Sequence, residues 1–348
     1  MIWSILVCKN ELTMRLIKIF LLFCLYSLKI SAQQPTITIL DSSHKASLRG
    51  LSVVDDQVVW VSGSSGSVAR SMDGGQHFEW LAVPGYEKRD FRDIEAFDAN
   101  TAVIMAIAEP AVILKTKDGG KSWKTVFEDS TKGMFLDAMS FDSSRGVVIG
   151  DPINNHAFIA ITSDKGEHWV TFPPDDTLGK GEAFFASSGT NITLMFKKGQ
   201  APFIAFASGG TYSHFFLNEQ ETTLPIIQGK ESTGANSLAF NRDKGFVTVG
   251  GDFANDKDTT LNCALSADLG KTWIHPQTPP HGYRSCVTYI TDKQLITCGT
   301  SGIDISNDGG MNWQLISNQS FHVVQKAKRG NAVFLAGSRG KIARLSGY

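Results

Sequence analysis

An eight-residue pattern that recurs along the chain constrains the fold more than any other sequence feature. The pattern has the form S/T-x-D-x-G-x-x-aromatic, and its first copy ends at Phe78. A degenerate copy at 208–215 keeps the serine and the aromatic residue but lacks the acid. Five copies are intact, at residues 71–78, 116–123, 162–169, 266–273 and 306–313. Repetition of this kind indicates a fold built from similar units.

Each copy has the chemistry of a tight turn. The aspartate carboxylate can accept hydrogen bonds from backbone N–H groups a residue or two ahead, and the glycine supplies a positive φ. The aromatic residue is a large apolar anchor that buries the turn against its neighbours. Because an enzyme does not need five copies of one catalytic acid, we predict structural roles for these residues. They are Asp73, Asp118, Asp164, Asp268 and Asp308, with Trp123, Trp169, Trp273 and Trp313 as anchors.

The spacing of the copies predicts a β-propeller. Successive aspartates from Asp73 to Asp164 are 45 and 46 residues apart, and another 46 residues lead to Gly210 in the degenerate copy. The remaining steps, to Asp268 and Asp308, are 58 and 40 residues. Periods of about 40–50 residues, each with about four strands, are typical of propeller blades.

Closure of the ring gives the number of blades. One more unit follows the last copy, in which residues 340–344 repeat the strand at 66–70. That unit ends at Tyr348 without a fourth strand, so we expect residues 36–40 to supply it and leave no open edge. The expected fold is all-β, a single seven-bladed propeller over residues 33–348, and we expect a monomer.

Each blade is predicted to begin with an inner strand along the central channel. Continuous apolar runs such as 58–61 and 102–105 are typical of strands buried on both faces between blades. The predicted inner strands are 48–54, 91–97, 135–141, 182–187, 235–240, 284–290 and 321–326.

Residues 1–32 have the pattern of a targeting segment. Met14 is the better initiator, so residues 1–13 are interpreted as an upstream extension. Residues 14–32 combine a basic start with an apolar run at 19–28 and small residues before Gln33, which predicts a signal peptide. The apolar run is shorter than the roughly 20 residues that a membrane span needs. We therefore predict an exported protein, periplasmic or secreted, without a membrane span.

The net charge and the cysteine content exclude few classes of protein and indicate no cofactor. The formal net charge of −1 gives no electrostatic argument for a nucleic-acid partner. Three cysteines follow the predicted leader, and Cys286 and Cys298 lie on consecutive predicted strands, where they could form a disulfide or remain buried thiols. The acidic stretch 252–258 could offer oxygen ligands to calcium, but it lacks the glycine and terminal glutamate of an EF-hand loop. We predict neither a metal nor a cofactor.

Candidate binding residues lie at the starts of the inner strands, where they would meet at the mouth of the channel. Side chains alternate along a strand, so a charge there can face the channel while its neighbours pack between blades. Such charges could bind a partner, or they could form a ring of salt bridges that fills the channel, since buried charges persist only when paired. The candidates are Arg49, Arg92, Asp93, Glu95, Asp137, Glu182 and Arg284.

The repeated turn resembles the Asp-box, or bacterial neuraminidase repeat, which joins the third and fourth strands of a propeller blade. Sialidases of this type have six blades, and their Arg-Ile-Pro signature is missing here. Xyloglucanase-type hydrolases need two propellers. The chain is more similar to the photosystem II assembly and stability factor type of propeller, relatives of which also occur as exported bacterial proteins. The matching stretches are 49–54, 91–97, 250–252 and 283–285, besides the Asp-boxes.

This resemblance implies a scaffold without catalytic residues that binds a protein or peptide. The alternative is a glycan-active hydrolase that uses Glu95, Asp137 or Glu182. A retaining pair would need carboxyl groups about 5–5.5 Å apart and an inverting pair about 6.5–9.5 Å. A quinone-dependent dehydrogenase is a weaker alternative, because the stacking groups and calcium site of its cofactor are not found in the sequence.

Overall fold

The computed structural model describes residues 34–171, 177–195, 202–218 and 220–348. The larger of the two units of the chain comprises Thr36–Ser346. The predicted upstream extension and signal peptide lie outside the described residues. The larger unit consists of seven antiparallel sheets, which confirms the predicted seven-bladed propeller.

The first three blades follow one plan, in which four consecutive strands run from the channel outwards. The chain begins with β1, Thr36–Asp41. Blade one contains β2 Leu48–Val53, β3 Val59–Gly63, β4 Val68–Ser71 and β5 Glu79–Leu81. Blade two contains β6 Phe91–Ala96, β7 Ala102–Ala106, β8 Ala111–Thr116 and β9 Lys124–Asp129. Blade three contains β10 Leu136–Asp142, β11 Arg145–Ile153, β12 His156–Thr162 and β13 Val170–Thr171.

The remaining strands form blades four to seven. The region of blade four contains β14 Glu182–Ala183, β15 Ile192–Met195, β16 Phe203–Ala207, β17 Gly209–Gly210, β18 His214–Leu217 and β19 Gln220–Thr223. Blade five contains β20 Thr233–Asn241, β21 Gly245–Asp252 and β22 Cys263–Ser266. Blade six contains β23 Cys286–Tyr289, β24 Leu295–Gly299, β25 Gly302–Ser306 and β26 Gln314–Ser317. Blade seven contains β27 Val323–Lys326, β28 Val333–Ala336, a short 3-10 helix Ser338–Gly340, and β29 Ile342–Ser346.

The N-terminal strand closes the ring as predicted. β1 pairs antiparallel with β29, and Ile39 lies opposite Ala343. The last sheet therefore has the order β1-β29-β28-β27, with the strand from the N-terminus on the outside. Without β1, the backbone groups of β29 would form an open edge.

The hydrophobic core lies between neighbouring blades. All residues of β3 and of β7 are buried, as expected for apolar runs covered on both faces. Trp60 of blade one packs in the same cluster as Phe91 and Ile104 of blade two. Each blade thus buries its faces against the next, and this packing fixes the inner strands around the channel.

The fourth blade differs from the prediction. Its inner strand is β15, whereas the predicted strand at 182–187 contributes only β14, which joins the sheet of blade five through β17. The apolar pair at 184–185 suggested a strand, but the N–H of Phe184 donates to the side chain of Asp151 instead of to a neighbouring strand. The degenerate repeat at 208–215 joins the second and third strands of this blade, so it does not occupy the Asp-box position.

The Asp-box turns share one hydrogen-bond pattern. In the copy at 116–123, the Thr116 hydroxyl donates to Asp118 Oδ1 at 2.9 Å and accepts from the Gly120 N–H. The N–H of Ser122 donates to the same Asp118 oxygen at 2.9 Å. The carboxylate thus reaches the residue four positions ahead, not one or two as predicted. The same bond forms in the other copies, from His77, His168, Thr272 and Asn312.

The three cysteines of the propeller are buried free thiols. Cys286 and Cys298 are direct cross-strand partners, as their predicted positions suggested, but they are not joined. Of the two alternatives left open by the sequence, the structure has the buried thiols.

Candidate functional site

A cavity of about 510 Å³ lies at one mouth of the central channel. Six of the seven inner strands, or the residues just before them, contribute to its wall, and residues 183–187 complete it. Phe253 is 48% exposed at the rim, so the cavity opens to solvent. The polar and charged residues of the lining are Arg49, Arg92, Asp137, Asp151, Ser187, Asn236, Tyr283, Ser285, Thr300 and His322.

Two arginines from neighbouring blades supply positive charge to this cavity. Burial lowers the pKa of Arg49, and the charge of Arg92 lowers it further. Arg92 donates to Asp90 at 2.9 Å and lies over the ring of Phe135. Arg49 has no carboxylate partner within the described residues. The structure therefore brings Arg49 and Arg92 together in this cavity.

Two aspartates of blade three lie in the same wall. Asp137, on β10, is fully buried, and neither of its carboxylate oxygens makes a hydrogen bond of good geometry with a described residue. Burial raises the pKa of Asp137 well above its usual value, and the nearby Asp151 carboxyl raises it further, while Arg92 and the backbone N–H groups of Ala186 and Asp151 oppose the rise. Burial also raises the pKa of Asp151, although the Phe184 N–H donates to it at 3.0 Å.

His322 remains neutral in this cavity. Burial lowers its pKa to about 3, and the charges of Arg49, Arg92 and Lys341 act in the same direction. Its Nε2 lies 3.3 Å from the Ser47 hydroxyl. His322 had no signal in the sequence, because it lies just before the inner strand β27 in a stretch without other charged residues. Asp151 had a signal, since it follows a glycine at the end of the second strand, as Asp252 does in blade five.

A segment of the chain, residues 186–190, fills the channel below the cavity. Arg49 donates to the Ser187 carbonyl at 3.1 Å, and Arg92 donates to the Ala186 carbonyl at 3.4 Å. We call residues 186–190 the channel segment. Its hydroxyl groups reach the inner strands of blades five and six, because Ser187 donates to Asn236 at 2.8 Å and Ser188 donates to the Ser285 carbonyl at 2.7 Å.

The far end of the channel segment meets blades two and five. Gly189 has a φ of 67°, and a Cβ atom there would lie 2.3 Å from Asp93 Oδ2. The Thr190 hydroxyl lies 2.7 Å from that of Ser237, and the Thr190 carbonyl accepts from the Leu238 N–H. The channel is thus closed by hydrogen-bonded backbone. Of the two alternatives left open by the sequence, the ring of salt bridges is not formed: in the described parts of the chain, no two of the seven candidates form an ion pair with each other.

The channel segment separates the first cavity from a second cavity of about 370 Å³ at the other end of the inner strands. Glu95 lines the second cavity, where Lys328 donates to it at 2.6 Å. Gly189 and Thr190 belong to the same wall. Glu95 therefore does not share a cavity with Asp137.

Three other predicted site residues serve the interior of the protein. Asp93 accepts from the N–H groups of Ile94 and Met139, at 2.8 and 2.7 Å, and burial raises its pKa well above the usual value. Glu182 accepts from Gly179 N–H at 2.8 Å, from Ser208 and from His214 Nδ1 at 2.9 Å. Burial raises the pKa of Glu182, but these bonds outweigh it and lower the pKa overall.

Arg284 is likewise withdrawn from the mouth. It is fully buried, and its Nε donates to Asp304 Oδ2 at 2.6 Å. Its Nη1 donates to the Tyr283 carbonyl and to Ser301, each at 2.8 Å. The sequence placed it at the start of an inner strand, but the carboxylate of Asp304 on β25 draws the guanidinium into blade six. Of the seven predicted binding residues, the cavity therefore contains Arg49, Arg92 and Asp137.

Neither a metal-ligand cluster nor a membrane-spanning helix is found among the described residues. Residues 34–171, 177–195, 202–218 and 220–348 contain no group of three or more potential ligands among histidine, cysteine, aspartate and glutamate. In these ranges no helix has the length and apolar character needed to cross a membrane.

Comparisons with solved structures agree with the fold. The structure titled YCF48 bound to D1 peptide is 18% identical, with a TM-score of 0.63 over 91% of this chain and 97% of that chain. YCF48 from Cyanidioschyzon merolae is 15% identical, with a TM-score of 0.60 over 88% of this chain and 98% of its own. A GH74 xyloglucanase from Xanthomonas campestris is 12% identical, with a TM-score of 0.59 over 89% of this chain but 53% of its own. Identities this low show the fold alone.

A family comparison goes further than the fold. No curated protein matches the chain. The family model described as photosynthesis system II assembly factor YCF48, however, matches residues 32–346, which is nearly the whole propeller. The chain therefore belongs to the photosynthesis system II assembly factor YCF48 family.

Proposed function

We propose that this propeller is a binding scaffold for a protein or peptide partner. Arg49 and Arg92 bind an acidic group of that partner. The observation that carries the proposal is the approach of two guanidinium groups from neighbouring blades in an open cavity, close enough for Arg92 to lower the pKa of Arg49. A carboxylate of the partner would relieve this repulsion and accept hydrogen bonds from both side chains.

The size and lining of the cavity support a peptide as the ligand. A volume of about 510 Å³ is enough for a few side chains of an extended segment. Phe253 at the rim offers apolar contact beside the charged wall. The solved YCF48 with a bound D1 peptide shows that one propeller of this family binds a peptide. That observation belongs to the relative.

The test uses a display library of random short peptides, selected on the purified protein. We expect enrichment of aspartate and glutamate, and we expect Arg49→Gln and Arg92→Gln each to weaken the selected peptides by about tenfold or more, the scale of a lost charge-assisted hydrogen bond. Arg329→Gln is the matched control, since Arg329 pairs with Asp55 and does not line the cavity.

Stability must be measured beside affinity, because both arginines also hold the channel segment. Arg49→Lys keeps the charge and should retain part of the affinity that Arg49→Gln loses. Unchanged affinity in both glutamine variants, with melting temperatures like that of the wild type, would overturn the proposal.

We also propose that the protein works after export, as a periplasmic or secreted monomer. The support is the basic start, apolar run and small residues of 14–32. Fusing residues 14–32 to a reporter enzyme that is active only outside the cytoplasm should give activity. A fusion in which the apolar run at 19–28 is interrupted by charges should not. Equal reporter activity from both fusions would contradict export by this segment.

The alternative of a glycan hydrolase loses the arrangement on which it depended. Glu95 lines the second cavity and Glu182 accepts hydrogen bonds from Ser208 and His214, so this arrangement does not favour a catalytic pair with Asp137. The xyloglucanase similarity shows a shared fold only. The geometry therefore favours binding over hydrolysis by these three carboxylates.

A further inference from the structure

The second cavity, on the side of the channel segment away from Arg49 and Arg92, has a wall rich in polar side chains. Its volume of about 370 Å³ falls within the range of about 300–1,000 Å³ that small-molecule sites occupy. Residues with hydroxyl, amide, carboxylate and ammonium groups line it from five of the seven blades, and all of them are partly buried. They are Glu95, Ser140, Thr193, Thr288, Gln325 and Lys326.

Three of these side chains have polar groups without a partner. The hydroxyls of Thr193 and Thr288 and the amide of Gln325 make no hydrogen bond with any residue that the structure describes. None of these atoms belongs to the unpaired polar atoms that are closed to solvent, so water can reach them. A ligand that supplies hydroxyl groups can therefore replace that water without breaking a bond of the fold.

One positive charge in the wall is also unpaired. Glu95 accepts from Lys328 at 2.6 Å, so these two charges compensate each other. Lys326, on the inner strand β27, forms neither an ion pair nor a hydrogen bond through its ammonium group within the described ranges. The lining thus has an excess of one positive charge, which favours a ligand with one negative charge.

The rest of the wall includes aromatic rings. Phe141, Phe240 and Tyr289 line the cavity from blades three, five and six, and each is partly buried. Aromatic rings offer apolar surface to the C–H groups of a ligand. A sugar ring combines hydroxyl groups with C–H groups, so it matches a wall that contains both kinds of contact.

We propose that the second cavity binds a uronic acid, a sugar whose ring carries a carboxylate. The Lys326 ammonium binds the carboxylate, and Thr193, Thr288 and Gln325 bind the ring hydroxyls. A phosphate group fits less well, because it carries a charge of about −1.5 to −2, whereas the wall has one unpaired cation. The site is separate from the proposed peptide site, since the channel segment lies between the two cavities.

Matched sugars test the class of ligand. Glucuronate and galacturonate differ from glucose and galactose in the group at carbon 6, which is a carboxylate in the acids and a hydroxymethyl group in the neutral sugars. Saturation-transfer NMR on the purified protein measures the binding of each sugar at millimolar concentrations. We expect at least one uronate to bind saturably and about tenfold more tightly than its neutral counterpart, the scale of one charge-assisted hydrogen bond.

Two variants test the cavity. Lys326→Gln should lower the affinity for the uronate by about tenfold and leave that for the neutral sugar unchanged, so the preference for the acid is lost. Thr288→Val keeps the shape of the side chain but removes its hydroxyl, and it should weaken both sugars alike by about fivefold. The matched controls are Lys124→Gln and Thr223→Val, which change exposed residues of the outer strands β9 and β19.

Two results would overturn the proposal. One is the absence of binding by all four sugars to the wild-type protein. The other is a uronate that binds the wild type, Lys326→Gln and Thr288→Val equally, because it must then bind outside the second cavity. Melting temperatures show whether each variant folds, and if one of the two does not, the other decides. Selection of peptides is measured separately, so failure of the sugar site leaves the proposed function standing.

Discussion

The blades with Asp-boxes and the fourth blade are held together in different ways. In blade two, the Asp118 carboxylate bonds with Thr116 and Ser122, all within one short turn. In the fourth blade, the channel segment bonds with residues far away along the chain, such as Arg49 and Asn236. Local hydrogen bonds allow each repeat to form its own turn, whereas the channel segment can adopt its conformation only after the ring around it has assembled. The regular turns shape the scaffold, and the irregular segment shapes the cavity.

Removal of β1 should have the largest effect, because it breaks the regular ring itself. Deleting residues 33–42 would expose the edge of β29, which pairs with β1 from Thr36 to Asp41. We expect aggregation or loss of a cooperative melt, measured by size-exclusion chromatography and circular dichroism. Deleting residues 1–32 alone is the control. A monomer with the wild-type melting temperature after the longer deletion would show that the ring does not depend on this strand.

Gly189→Ala should destabilise the channel segment without changing any Asp-box turn. The new Cβ would lie 2.3 Å from a carboxylate oxygen of Asp93, at a φ of 67°. Gly85→Ala is a matched control, because Gly85 also has a positive φ of 85° but no atom within 4 Å of the new Cβ.

We expect Gly189→Ala to lower the free energy of unfolding by about 1–3 kcal/mol more than Gly85→Ala, the usual range for overpacking. Urea denaturation measures both. Peptide affinity should also fall, since the channel segment forms the floor of the cavity. Equal losses in the two variants would mean that the segment shifts freely and that its contact with Asp93 does not hold it.

His322→Gln tests the electrostatics of the cavity wall. Burial lowers the pKa of His322 to about 3 in the folded protein, against 6.5 as its ordinary value. Below about pH 6.5, therefore, the histidine binds a proton in the unfolded chain but not in the folded protein. The free energy of unfolding falls as the pH falls from about 6.5 towards 3. The slope is at most about 1.4 kcal/mol per pH unit.

The histidine variant should lose this dependence and gain up to about 2 kcal/mol on the wild type at pH 5, with little difference at pH 7.5. Urea denaturation at the two pH values measures it. His275→Gln changes an exposed histidine and serves as the control. The same fall in stability between the two pH values in wild type and His322→Gln would show that His322 is protonated in the folded state.

Much of the fold could be predicted because its information is local. The Asp-box period marks the blades, and six of the seven predicted inner strands overlap the observed ones, from β2 to β27. The fourth inner strand could not be predicted in this way. The run that contains Phe184 and Phe185 has the composition of a strand, but its hydrogen-bond partners are set by Asp151 and by the closed ring around it.

The site was harder to predict because charge at a strand start does not say where the side chain goes. Arg49 and Arg92 reach the cavity, but Arg284 turns to Asp304, and Glu182 turns to His214. Those partners lie 20 and 32 residues away in the sequence. The Arg284–Asp304 pair lies within blade six, yet no short motif specifies either pair, so both emerge only from the folded chain.

Asp118→Ala should have the smallest effect, since it removes one local turn from a ring of many. The Ser122 hydroxyl, followed by the Ser122 N–H and the Thr116 hydroxyl, lowers the pKa of Asp118 to about 2, so the ionised carboxylate is the form that holds the turn. We expect a fall in melting temperature of about 2 °C, the scale of a lost cap in a domain of this size, with unchanged affinity for the selected peptides. Asp118→Asn keeps one acceptor oxygen and should lose less. If Asp118→Ala melts like the wild type, the glycines and Trp123 are sufficient to form the turn. If the variant loses peptide affinity instead, Asp118 belongs to a binding site, and the division between a regular scaffold and an irregular cavity is wrong.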